Sequence, residues 1–124
     1  MTWLYEDKEF TPDEYFLDPY QGFVYQITEL DTGMKYIGKK FFWKPKTLPV
    51  TKTRKRRVKT RVESDWMKYY GSSQELKEAV AQRGANNYKR EILKLCLTKG
   101  ECSYYEAKLQ FEYDVLLRDD YYNA

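Results

Sequence analysis

Hydrophobic and polar positions alternate most clearly in two neighbouring stretches. Gly22-Phe23-Val24-Tyr25-Gln26-Ile27-Thr28 is rich in aromatic and β-branched residues, and Met34-Lys35-Tyr36-Ile37-Gly38 returns to that character after Leu30-Asp31-Thr32-Gly33. Strand formers on both sides of turn residues predict a β-hairpin. Tyr88-Lys89-Arg90-Glu91-Ile92-Leu93-Lys94-Leu95-Cys96-Leu97 alternates and then turns apolar, which predicts a third strand. Ser72-Ser73-Gln74-Glu75 reads as a capping box from Ser72 to Glu75, opening a helix through Leu76, Ala79, Val80 and Arg83 with Gly84 behind it. Ser103-Tyr104-Tyr105-Glu106 reads as a second box. Its helix runs to about Leu117, with Ala107, Phe111 and Val115 on one face and Tyr105, Leu109 and Leu116 beside it. Thr11-Pro12-Asp13-Glu14 offers an N-cap followed by proline, hence a short helical turn, and Ser64 to Gly71 reads as a short helical piece stopped by glycine.

The order hairpin, helix, strand, helix predicts an α+β fold: a small, mainly antiparallel three-stranded sheet with flanking helices. The 124 residues suit a single domain, 1–124. Within it, 1–21 forms an N-terminal extension. Residues 44–62, with Pro45, Pro49 and many threonines, interrupt the periodicity as a basic loop insertion.

Composition narrows the class. At 42% hydrophobic, 18% aromatic and 33% charged residues the chain is neither disordered nor collagen-like. No apolar run approaches the roughly 20 residues of a spanning helix. Met1 to Asp7 lacks the basic-then-apolar pattern of a signal peptide. There is no histidine, so a Ser-His-Asp triad, a Cys-His pair and a histidine zinc site are all excluded. Cys96 and Cys102 alone make a poor disulfide framework, and the expected compartment is the reducing cytoplasm.

Charge is distributed unevenly. Residues 1–38 hold two basic and eight acidic side chains, whereas 39–68 hold twelve basic and two acidic. The basic segment includes Lys39, Lys40, Lys52, Arg54, Lys55, Arg56, Arg57, Lys59 and Arg61, and Phe41, Phe42 and Trp43 are interleaved with its lysines. Cations among aromatics point to a nucleic-acid partner.

One constellation remains. Gly22-x-x-Tyr25 leads one strand of the hairpin and Tyr36-Ile37-Gly38 ends the other, the tyrosines eleven positions apart. This resembles the GIY-YIG nuclease motif, written here as Phe23-Val24-Tyr25 and Tyr36-Ile37-Gly38. The likeness extends over residues 22–123 through Lys39-Lys40-Phe41-Phe42, Ser64-Asp65-Trp66 and Tyr69-Tyr70-Gly71-Ser72-Ser73, and is strongest to the small stand-alone GIY-YIG proteins of tailed phages. The resemblance implies a metal-dependent DNA endonuclease that leaves 5′-phosphate and 3′-hydroxyl ends. It also implies that Glu106 holds Mg2+ or Mn2+, that Asn123 supports the site, and that Tyr25, with Tyr36, acts as general base or positions the attacking water. A tyrosine near pKa 10 is a weak base unless cations favour its phenolate. Lys39, Lys40 and Arg61 are the candidate cations.

The family usually carries an arginine in the helix after the second motif strand. Here the positions four before Tyr69 and Tyr70 are Asp65 and Trp66, so Lys40, Arg61 or a member of Arg54–Arg57 takes its place. Side chains on paired strands share a face only when their numbers fit the register. A common site for Tyr25 and Tyr36 therefore requires an even-numbered loop around Leu30–Gly33, or a bulge. A single site cuts one strand at a time, which leaves monomer and homodimer open. The alternative functions are a non-catalytic nucleic-acid-binding protein on the same scaffold, using the basic loop, and a protein-interaction module.

Overall fold

The computed structural model describes residues 2–52 and 58–123. Residues Arg54, Lys55, Arg56 and Arg57 of the basic segment lie outside them. The elements in chain order are β1 (Trp3–Tyr5), β2 (Lys8–Glu9), α1 (Glu14–Leu17), β3 (Gly22–Glu29), β4 (Lys35–Phe41), β5 (Trp43–Leu48), β6 (Val58–Glu63), α2 (Gln74–Arg83), β7 (Tyr88–Cys96) and α3 (Lys99–Glu112). Short 3-10 turns at Trp66–Lys68 and Ala85–Asn87 flank α2.

The fold is α+β, but the sheet is larger than three strands. Five strands run in the order β2-β1-β7-β3-β4, and β5 and β6 form a separate two-stranded ribbon. The central three are antiparallel as expected, whereas β1 lies parallel to β7, Trp3 opposite Arg90. Three residues are too few for periodicity to announce a strand, and this pairing spans most of the chain, so local pattern could not reveal it. The N-terminal segment is consequently part of the core. Trp3 is buried, edge-on to Phe23 and Tyr25, and its indole N–H donates to the Trp66 carbonyl at 2.8 Å. Phe10 and Leu17 are buried with it.

The sheet has two covered faces. Phe23, Tyr25, Ile27 and Ile92 pack with Trp3, Phe42, Trp66 and Leu76 on one. Val24, Ile37 and Cys96 pack with Cys102, Val115 and Tyr121 on the other. The expected insertion is partly built: β5 and β6 pair from Trp43–Glu63 to Leu48–Val58, and Lys59 lies in β6 opposite Thr47.

Three helix boundaries differ from the sequence pattern. Asp13, not Thr11, caps α1 by accepting the Phe16 N–H at 2.8 Å. Ser73, not Ser72, caps α2 through the Leu76 N–H. Helix α3 starts at Lys99, because Thr98 accepts the Glu101 N–H at 3.0 Å and Glu101 accepts the Leu97 N–H at 3.3 Å. Ser103 and Glu106 are therefore interior positions, not a capping box. The helix ends at Glu112, with Asp114 in the left-handed region at φ 52°. The helix presents Cys102 to the core, and Phe111, expected inside, falls nine residues on, on the opposite side, and is 77% exposed.

Candidate active site

The hairpin sets the geometry. In the β3–β4 ladder Tyr25 faces Gly38 and Ile27 faces Tyr36, so Tyr25, Tyr36 and Gly38 share one side of the sheet. The connection has four residues, Leu30–Gly33, closed by the Glu29 N–H to the Met34 carbonyl at 2.7 Å. Gly33 takes the positive φ of 75° that this turn needs. The even loop required by a common site for the two tyrosines is what the chain forms.

Gly38 is explained by close approach. A Cβ there would stand 2.6 Å from the Tyr25 hydroxyl oxygen and 2.9 Å from Tyr36 Cε1. The space a side chain would fill is taken by the Tyr25 phenol. That side chain is fully buried, and its hydroxyl finds no hydrogen-bond partner among the described residues. Burial pushes the Tyr25 phenol far above its ordinary value, and the neighbouring Tyr69 and Tyr36 phenols and the charge of Glu106 push it in the same direction. Tyr36 shares a hydrogen bond of 2.8 Å with Ser72, and its phenol is raised chiefly by burial.

Strand β4 is a sheet edge, so side chains from both faces converge around it. From the α3 side comes Glu106, 26% exposed, with Lys39 Nζ at 3.9 Å. The same ammonium donates to Ser103 Oγ at 2.8 Å. On the Tyr25 side, Lys40 pairs with Asp65 at 2.7 Å and lies over the Tyr69 ring at 4.1 Å; that ring stands edge-on to Tyr25. Among the described residues no group of three histidine, cysteine or acidic side chains comes together, so the site holds no all-protein metal cage. A lone, partly exposed carboxylate fits the other mode, in which Mg2+ keeps several waters and completes its shell with substrate phosphate.

Asn123 clasps the edge strand. Its amide oxygen accepts the Ile37 N–H at 3.0 Å and its amide nitrogen donates to the Ile37 carbonyl at 2.8 Å. Gln110 adds a second donor to that carbonyl at 3.1 Å. Both hold the backbone between Tyr36 and Gly38. Arg61 is elsewhere: it donates to the Asp18 carboxylate at 2.7 Å and stacks on Trp43 at 4.0 Å. Of the proposed cations, Lys39 contacts Glu106 and Lys40 lies over Tyr69 beside Tyr25, while Arg61 contacts neither group. Lys52 is exposed beyond the end of β5.

Gln110, Asp65 and Tyr69 were not among the candidate site residues, whereas Lys40, which contacts the last two, was. Gln110 lies four residues after Glu106, one helical turn along the same row. Lys40 lies two residues beyond Gly38, on the same side of the strand. Both placements follow once the hairpin register and the helix are known.

No helix among the described residues is long and apolar enough to cross a membrane. A family model described as "Putative endonuclease segE, GIY-YIG domain" matches residues 3–124. Comparison with curated proteins and with solved structures returned no match.

Proposed function

The chain belongs to the GIY-YIG endonuclease family, and from that premise we propose that it is a divalent-metal-dependent DNA endonuclease working at the Tyr25–Glu106 edge of the sheet. The observation that carries this reading is the Tyr25 hydroxyl. It is buried and unpartnered under Gly38, beside Tyr36 and within reach of the Glu106 charge. A buried donor without a partner costs about 1–3 kcal/mol, and supplying a donor to a substrate oxygen or to the attacking water is a function that offsets such a cost.

Glu106 is the residue to hold Mg2+ or Mn2+ with water and substrate phosphate oxygens; bound there, the ion neutralises phosphate charge and acidifies water. Lys39, between Glu106 and Ser103, places a positive charge beside the same phosphate. Lys40 takes the position of the family's arginine as a point charge without a bidentate fork. Tyr25, its phenol raised by burial, serves as hydrogen-bond donor and positioner of the attacking water. Tyr36, through Ser72, fixes the opposite side of the pocket. Asn123 and Gln110 are positioning residues that hold Ile37 and thereby the spacing of Tyr36 and Gly38. Hydrolysis by this arrangement leaves 5′-phosphate and 3′-hydroxyl ends.

The test is nicking of supercoiled plasmid with Mg2+, Mn2+ or EDTA, followed by resealing of the nicks with a DNA ligase. Metal-dependent nicks that reseal directly are expected. A well-folded protein that binds DNA but cleaves neither the plasmid nor a single-stranded or flapped substrate with either metal would overturn the enzymatic reading in favour of a binding protein.

A further inference from the structure

Lys39 borders a second feature besides Glu106. The end of β4, the root of the β5–β6 ribbon and the start of α3 enclose an open cleft of about 560 Å³, a size common among ligand sites. Its cations are Lys39, Lys40, Lys44 and Lys99. Among the described residues the only carboxylate lining it, Asp65, is already engaged by Lys40 at 2.7 Å. The remaining wall is formed by Ser64 and the apolar Phe41, Trp43 and Pro45, and the Lys99 ammonium lies 5.5 Å from the Phe41 ring.

Several ammonium groups around one opening repel one another in the free protein, and an anion relieves that repulsion. Flat apolar surface beside the cations suits a base as well as a phosphate. We propose that this cleft binds one unpaired nucleotide flanking the scissile phosphate, with its phosphate at Lys44 and Lys99 and its base toward Phe41 and Trp43. A base stacked inside continuous duplex cannot enter a recess, so the substrate class is DNA with an unpaired nucleotide beside the cut: single strands, flaps and branches. The assignment of a flanking position rests on Glu106 marking the cut, since Lys39 links the two. The cleft as a nucleotide site stands on its own lining.

The experiment is fluorescence anisotropy in EDTA, where cleavage does not intervene, using a labelled single-stranded oligonucleotide and a duplex of the same length. The variant is the double substitution Lys44→Ala/Lys99→Ala, both exposed positions. Wild type is expected to bind the single strand more tightly. The double variant is expected to lose about tenfold affinity for the single strand at moderate salt and less than threefold for the duplex. Its salt slope on the single strand should fall by about 1, as losing one or two phosphate contacts requires. Equal loss on both ligands, no loss on either, or no single-strand preference in wild type would overturn the proposal. Selective loss together with no cleavage of plasmid, single strand or flapped duplex in Mg2+ or Mn2+ would uphold the subsite and overturn only the nuclease reading.

Discussion

At the scale of single residues, Tyr25 combines a stability cost with a role in the site. Its ring fills the core beside Trp3 and Tyr36, while its hydroxyl has no partner there. Tyr25→Phe keeps the ring and removes the unpaired donor, so stability is expected to stay level or rise by up to about 1 kcal/mol. Denaturant unfolding checks this; a fall of more than about 1 kcal/mol would show that the hydroxyl is bonded in the native state. The condition for a shared face of the two tyrosines, an even loop, was legible in the sequence, but Asp31-Thr32-Gly33 also suits a three-residue loop, so the four-residue connection came from the fold. The position of Arg61 was not legible. Charge identifies Arg61 as a cation, but only the course of the ribbon places it against Asp18 and Trp43 instead of the tyrosines.

At the scale of elements, the last residues act on the edge strand. The Lys35 N–H donates to the Asp120 carbonyl at 2.9 Å and the Tyr122 N–H to the Lys35 carbonyl at 2.7 Å. The Tyr122 hydroxyl donates to Glu29 at 2.8 Å. Glu29 is itself buried, in a salt bridge with Arg83 and hydrogen-bonded by Tyr88. Asn123 then extends this pairing through its side chain. Asn123→Ala removes two hydrogen bonds to Ile37 and is expected to cost about 2 kcal/mol. It should also speed hydrogen exchange at the Ile37 amide more than at the amides of β7. Uniform speeding across the sheet would mean that Asn123 stabilises the fold generally without holding the site. Strand β7, the hairpin and the span of α2 were readable from periodicity. The start of α3 was not, because two capping boxes compete and Gly100 in the true first turn weakens the helical pattern.

At the scale of the whole molecule, the chain buries many phenols. Tyr25 is raised mainly by burial, and Tyr88 is pushed up to about 12 by burial and by Glu29. The unfolded chain releases these protons near pH 10. Above that pH the unfolded state binds fewer protons than the native state, so stability falls as pH rises. The contribution is complete below about pH 10 and is lost progressively as pH climbs through the folded values. Thermal unfolding between pH 8 and 11 should show a melting temperature that declines above pH 10, less steeply in Tyr25→Phe; a profile identical in both proteins would show that Tyr25 does not take part. The basic ribbon and cleft are the surface proposed for nucleic acid. The charge asymmetry of the sequence pointed to such a surface, whereas the division of its cations between cleft and ribbon depended on the fold. The central claim is that Glu106, beside the buried tyrosines at the edge of β4, is the metal-holding group of a nuclease. It is tested most directly by single-turnover cleavage of labelled DNA in Mn2+ by wild type and Glu106→Gln, with melting temperatures measured on the same preparations. The account predicts a loss of at least about a hundredfold in rate, in line with removing an essential electrostatic group, at an unchanged melting temperature. Cleavage by Glu106→Gln within a few fold of wild type would contradict it.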